Sequence, residues 1–217
     1  MKHLRKFATE SELTSVPLPN AVLIADTKKV LYNAVPFGVY VQHIDGLLYT
    51  TEEWEANGFA NEVANGIAVI TEDCRFVMAL TPIENTKWSS DTENQVEGIV
   101  TTEDKAMAKT DFAGKENTAK IVLTDKSDSA YLCSNYVFPN GAKGYLPALG
   151  ELDTAYSKKS AIKAIHEALG LTAYSTQVFW SSTQKSATNA WELSWYNRSS
   201  GGQPKGASLY ALPFTTL

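Results

Sequence analysis

Two stretches of alternating strand formers, FGVYVQHIDGLLYT at 37–50 and GIAVITEDCRFVMAL at 66–80, fold back on themselves around paired turn residues. Asp45-Gly46 and Glu72-Asp73 are the reversal points, and an Asp-Gly pair between alternating apolar residues is a strong short-range hairpin signal. Two neighbouring hairpins commit this part of the chain to an antiparallel sheet, which must bury at least one face against another layer. The link between them, TEEWEANGFANEVAN, reads as a helical turn or loop anchored by Trp54.

With 217 residues and 44% hydrophobic content, the chain is long enough to bury a substantial core and short enough for one main domain. Residues 84–116 are polar and broken by Gly98 and Gly114, so they read as loop with short structure ordered around Trp88. NTAKIVLTD is compatible with strand or helix. SDSAYLCSNYVF reads as a helix capped by Ser127 or Asp128, with Ala130, Tyr131, Cys133 and Val137 at near-helical spacing. PALGELDTAY reads as a short separate helix. In the next one Ala161, Ile162, Ile165, Ala168 and Leu169 form one stripe, and Gly170 closes it. Trp-rich and Ser/Thr-rich segments then lead to a last strand, ASLYALPF. This order predicts an α+β fold with helices on one side of an antiparallel sheet.

Ahead of that domain, PNAVLIADTKKVLYN predicts a hairpin of Ala21 to Ala25 with Val30 to Tyr32 around an Asp26 to Lys29 turn. An isolated two-stranded hairpin is not stable in water. Residues 1–35 are therefore read as a docking segment and 36–217 as the main domain.

A net charge of -5 without a dense Lys/Arg cluster argues against nucleic acid as a ligand. The start, MKHLRKFATESELTSVPLPN, lacks the apolar run of a secretory signal, and no stretch has the length of a membrane span. The expectation is a protein made in a bacterial cytoplasm, where Cys74 and Cys133 read as buried thiols, with a disulfide between them as the alternative. The NRS sequon at Asn197 then carries little meaning. P-loop, GxSxG, HExxH and GxGxxG motifs are all missing. His3, His43 and His166 lie far apart, and the carboxylate pairs Glu52-Glu53, Glu72-Asp73 and Glu151 with Asp153 fall in turns or at helix starts, where negative charge is solvated or favoured. No catalytic residue, metal or cofactor is assigned, and a non-enzymatic role is expected.

FWSSTQKSATNAWELSWYNRSSGGQ, at 179–203, packs three tryptophans among small polar residues. Trp180 and Trp191 read as core anchors, Trp195 faces either way, and the hydroxyls of Ser181, Ser182 and Thr183 suit an irregular segment where they satisfy backbone groups. Taken with NYVFPNGAKGYLPALGELDTAY and YALPF, this segment resembles a C-type-lectin-like family related in fold to the formylglycine-generating enzyme. Within it the chain is most similar to the variable proteins of diversity-generating retroelements, and LPNAVLIADTKKVLYN is similar to a leader on phage and prophage tail-type proteins.

The resemblance covers most of residues 36–217. It implies a C-type-lectin-like fold and a ligand-binding face made by Lys185, Thr188, Glu192, Ser194, Tyr196, Asn197 and Arg198, all expected to project outward. Tyr, Asn, Ser and Gly suit such a face because they give contact area and adaptable hydrogen bonding at low entropic cost. The implied partners are a bacterial surface protein or glycan and other tail or virion subunits, with a homo-oligomer compatible, and the implied location is a phage tail. The alternative is a structural tail component that uses the same fold as a spacer. Two departures limit the resemblance: no cysteine follows Cys133, as the enzymatic relatives require, and WEL at Trp191–Leu193 is not a calcium-ligand run.

Overall fold

A computed structural model describes residues 35–59, 62–124 and 129–217, together with the strand residues 23–24 and 29–30. The N-terminal hairpin is present as β1 (Leu23–Ile24) paired antiparallel with β2 (Lys29–Val30), so Lys29 belongs to a strand rather than to the turn. Asp26 to Lys28 lie outside the described residues, as do His3 and the expected caps Ser127 and Asp128.

Both internal hairpins form. β3 (Gly38–His43) returns through Asp45-Gly46 as β4 (Leu48–Tyr49), with Gly46 at φ +86, and β5 (Ala64–Ile70) returns through Glu72-Asp73 as β6 (Arg75–Met78). Between them α1 (Thr51–Ala56) starts with a capping box: Glu53 N donates to Thr50 Oγ1 and Thr50 N donates to Glu53 Oε2. Trp54 is buried edge-on against Tyr49 and Phe59.

Besides the β1–β2 hairpin, two five-stranded sheets are present. The first runs β12 (Phe214–Thr216), β6, β5, β3, β4 and is antiparallel throughout. The second runs β10 (Ser200–Pro204), β9 (Asn189–Ser194), β8 (Val178–Gln184), β11 (Leu209–Ala211), β7 (Ile83–Thr86), with β8 and β11 parallel. The segment ASLYALPF is thus not one strand. Its first half completes the second sheet and, across Pro213, its second half enters the first, where Phe214 stacks on Phe76 at 4.4 Å. This crossing ties the two sheets together through a residue that cannot donate to a ladder.

The helices are α2 (Lys105–Ala108), α3 (Gly114–Thr124), α4 (Ser129–Asn135), α5 (Leu149–Ser157) and α6 (Lys159–Ala168). Residues 117–124 of NTAKIVLTD form the end of α3, because Asn117, Thr118 and Ile121 bury one side of it while Leu123 stays 83% exposed; Asp125 lies outside the described residues. Of the expected stripe, Ala130 and Cys133 are buried in α4, beside Ser129; Tyr131 is exposed, as is Val137 beyond the helix. In α6 the buried residues are Ile162, Ile165 and His166, Ala161 is exposed, and Gly170 follows at φ +68.

The larger core gathers Val41, Ile67, Val69 and Phe76 of the first sheet, Leu149, Leu152, Ile162 and Ile165 of the helices, and Phe179, Trp191 and Leu193 of the second sheet. A smaller core collects Trp88, Ile121, Ala130, Cys133, Trp180 and Ala211. The second sheet therefore contributes side chains to two cores, and its central strands are buried on both faces.

Candidate ligand-binding face

The tryptophans build a frame before they build a surface. Trp180 Nε1 donates to Thr86 O at 3.0 Å, and Trp88 Nε1 donates to Ser181 O at 2.7 Å, so β8 and the β7 end hold each other reciprocally. Between Trp180 and Gln184 the β8–β9 register shifts. There the hydroxyls take over, as expected from the sequence, although inside a strand rather than a loop. Ser181 Oγ donates to Trp191 O, and Thr183 Oγ1 donates to Asp111 Oδ2 while accepting from Leu149 N; the Ser182 hydroxyl instead accepts from the Asn117 side chain, and Ser182 N donates to Pro147 O. Asp111 also receives Asn117 Nδ2 and Ala113 N, so one buried carboxylate joins three segments.

The seven expected face residues do not form one patch. Lys185 and Thr188 lie in the β8–β9 turn, whereas Ser194, Tyr196, Asn197 and Arg198 lie at the opposite end of β9, roughly 17 Å away at strand rise. Lys185 is half-buried, with its ammonium 4.9 Å over the Trp191 ring and its stem against Gly202. Glu192 corrects the expectation of outward projection: it is 7% exposed, because Ala190, Trp191, Glu192 and Leu193 are all buried in a strand covered on both faces. Burial pushes its carboxyl up to about 7, against a hydrogen bond from the Gly201 backbone and the Lys105 charge.

The second group is held firmly. Trp195, which faces inward, is 1% exposed and packs edge-on against Tyr156, Tyr174 and Phe179. Its carbonyl accepts from Lys159 Nζ, and Tyr156 Oη donates to Tyr196 O at 3.3 Å. Arg198 sits at φ +62, a left-handed conformation that costs an ordinary side chain about 1–3 kcal/mol. A bidentate pair offsets this, with Nε to Asp153 Oδ1 and Nη2 to Asp153 Oδ2, both 3.0 Å. Lys109 Nζ reaches the same Oδ1 at 2.8 Å. Burial raises the Asp153 carboxyl, but the hydrogen bonds and charges of Arg198 and Lys109 outweigh it and hold it below the ordinary aspartate range. Above this clamp the Tyr196 ring stands 70% exposed.

Beside the turn lies a cleft of about 340 Å³ lined by Phe37, Glu72, Asp73, Thr154, Lys158 and Arg198, among others. Of these, residue type in the sequence points to Arg198 alone as a face residue. Phe37 and the Glu72-Asp73 turn come from the first sheet, and no local signal links them to residue 198.

The other reactive groups are enclosed. Glu151 is not a solvated helix-start carboxylate: it is 6% exposed, accepts from Tyr145 Oη at 2.8 Å and Ala148 N at 2.7 Å, and is pushed up to about 7 chiefly by burial. A Cβ on Gly114 would lie 2.1 Å from its Oε2, so the glycine admits it. His166 is buried with both ring nitrogens facing backbone carbonyls, of Ile162 and Leu80. Cys74 and Cys133 are both free; Cys133 is buried as expected but Cys74, immediately before β6, is only half-buried, and burial pushes both thiols up. Among the described residues no group of three His, Cys, Asp or Glu has metal-holding geometry, and no helix is long and apolar enough to cross a membrane.

Neither a family model nor a curated protein sequence matches the chain. A fimbrial protein from Bacteroides ovatus, known from its crystal structure, is similar in fold, with a TM-score of 0.51 at 14% identity over 84% of this chain. The match spans 49% of that protein, so the chain accounts for about half of its length.

Proposed function

We propose that this chain is a non-enzymatic binding protein with a C-type-lectin-like fold, a tail adhesin of a phage or prophage that meets a bacterial surface protein or glycan. The observation that carries the reading is the β9–β10 turn: an exposed Tyr196 and Asn197 on a backbone pinned by buried Trp195 beneath and the Arg198–Asp153–Lys109 network beside. A rigid aromatic anchor with adaptable polar neighbours is what a binding edge requires, since little entropy is lost on contact. A fold shared with a fimbrial protein supports a role at surfaces. In this reading the N-terminal hairpin docks on other virion subunits, and the Tyr196 end faces outward.

Variation in the encoding gene across a natural population separates this reading from a structural tail component. Replacements concentrated at the codons of Tyr196 and Asn197, with Trp180, Trp191, Trp195 and the buried Glu192 unchanged, are expected of a diversified adhesin. Arg198 is expected to change only together with Asp153. Uniformly low variation at 185–198 would instead favour the spacer role.

A further inference from the structure

The cleft beside the turn has walls of opposite charge. One wall is the β5–β6 turn, where Glu72 and Asp73 are exposed; the other is the end of α5 and the β9–β10 turn, which bring Lys158 and Arg198 together with Asp153, whose carboxylate is already paired to Arg198 and Lys109. Neither Glu72 nor Asp73 is within ion-pair distance of a cation among the described residues, and Lys158 likewise has no acidic partner there. Arg198 spends two of its five N–H groups on Asp153, which leaves three to donate. Phe37, 61% exposed, adds an apolar surface to the cleft.

We infer that this cleft binds a small zwitterion, an α-amino acid or the terminus of a short peptide, with its ammonium at Glu72 and Asp73, its carboxylate at Arg198 and Lys158, and its apolar part against Phe37. An anion alone meets the two carboxylates, and a cation alone meets Lys158 and Arg198. A ligand carrying both charges pairs with both walls at once. The cleft shares Arg198 with the turn that carries Tyr196 but is not lined by Tyr196 itself, so variants at Glu72, Asp73 and Lys158 test it apart from the Tyr196 edge.

The full chain is titrated with leucine, leucyl-leucine, leucinamide, N-acetyl-leucine and methyl glucoside, followed by chemical-shift changes at residues 71–73, 154–158 and 198. Pairs this exposed are weak, so dissociation constants of about 1 mM are expected. Leucinamide and N-acetyl-leucine, each lacking one charge, are expected to bind at least about tenfold more weakly. The Glu72→Gln/Asp73→Asn double variant and Lys158→Ala are expected to lose binding, and Thr188→Ala to keep it. Preference for leucine over leucyl-leucine identifies a free amino acid, and the reverse a peptide end. Equal binding of N-acetyl-leucine, binding of methyl glucoside alone, or no shift with either leucine or leucyl-leucine overturns the proposal. If Tyr196→Ala abolishes attachment to bacteria while no zwitterion binds, the adhesin reading stands and the cleft assignment falls.

Discussion

Trp180→Ala is expected to lower the unfolding free energy by about 3–5 kcal/mol, the range for truncating a large buried aromatic. The indole is fully buried in the smaller core, and its loss also leaves Thr86 O without its side-chain donor. The reciprocal bond from Trp88 to Ser181 O sits one residue away, so the β7–β8 contact loosens at both points. Trp180→Phe keeps most of the packing and removes the donor, and should cost less than half as much. Urea denaturation of the three proteins measures this, and equal losses for Ala and Phe would assign the effect to the hydrogen bond.

A second large effect is the pH dependence of stability. Glu151 has a folded-state value raised from 4.5 to about 7. A carboxyl raised on folding binds more protons in the native state, so its stabilisation is complete below the unfolded value and is lost as pH climbs through the folded one. Stability should therefore fall by about 3 kcal/mol between roughly pH 4.5 and 7 from this group, with Glu192 acting in the same direction. Glu151→Gln imitates the neutral acid: its carbonyl accepts from Ala148 N and its amide donates to Tyr145 Oη. Denaturation across this range should show a shallower slope for Glu151→Gln and a nearly flat one when Glu192→Gln is added; an unchanged slope would place the titration elsewhere.

Much of the first sheet is legible in the sequence, because Asp45-Gly46 and Glu72-Asp73 punctuate alternating strands and the chain reverses at both. The second sheet is harder to read. NAWELS is buried on both faces, so it shows no alternation, and Glu192 in its middle looks like an exposed polar residue when only its type is considered. Pro213 hides the change of sheet inside one apolar run. For the site, residue type singles out Tyr196, Asn197 and Arg198, and the structure exposes all three. Their supports are invisible locally: Asp153 is 45 residues from Arg198, and Lys109 is 44 from Asp153. Ion pairs between distant segments leave no periodic trace, whereas the buried tryptophans announce themselves by size.

The claim that the Tyr196 end is the binding edge is tested most directly by attachment of the purified full chain to intact bacteria from a panel of hosts. The account predicts that Tyr196→Ala weakens attachment at least about tenfold, a loss typical of an exposed aromatic anchor, while Thr188→Ala, at the far end of β9, leaves it unchanged. Attachment that survives Tyr196→Ala and Asn197→Ala together but is lost in Thr188→Ala would contradict it and move the binding edge to the β8–β9 turn.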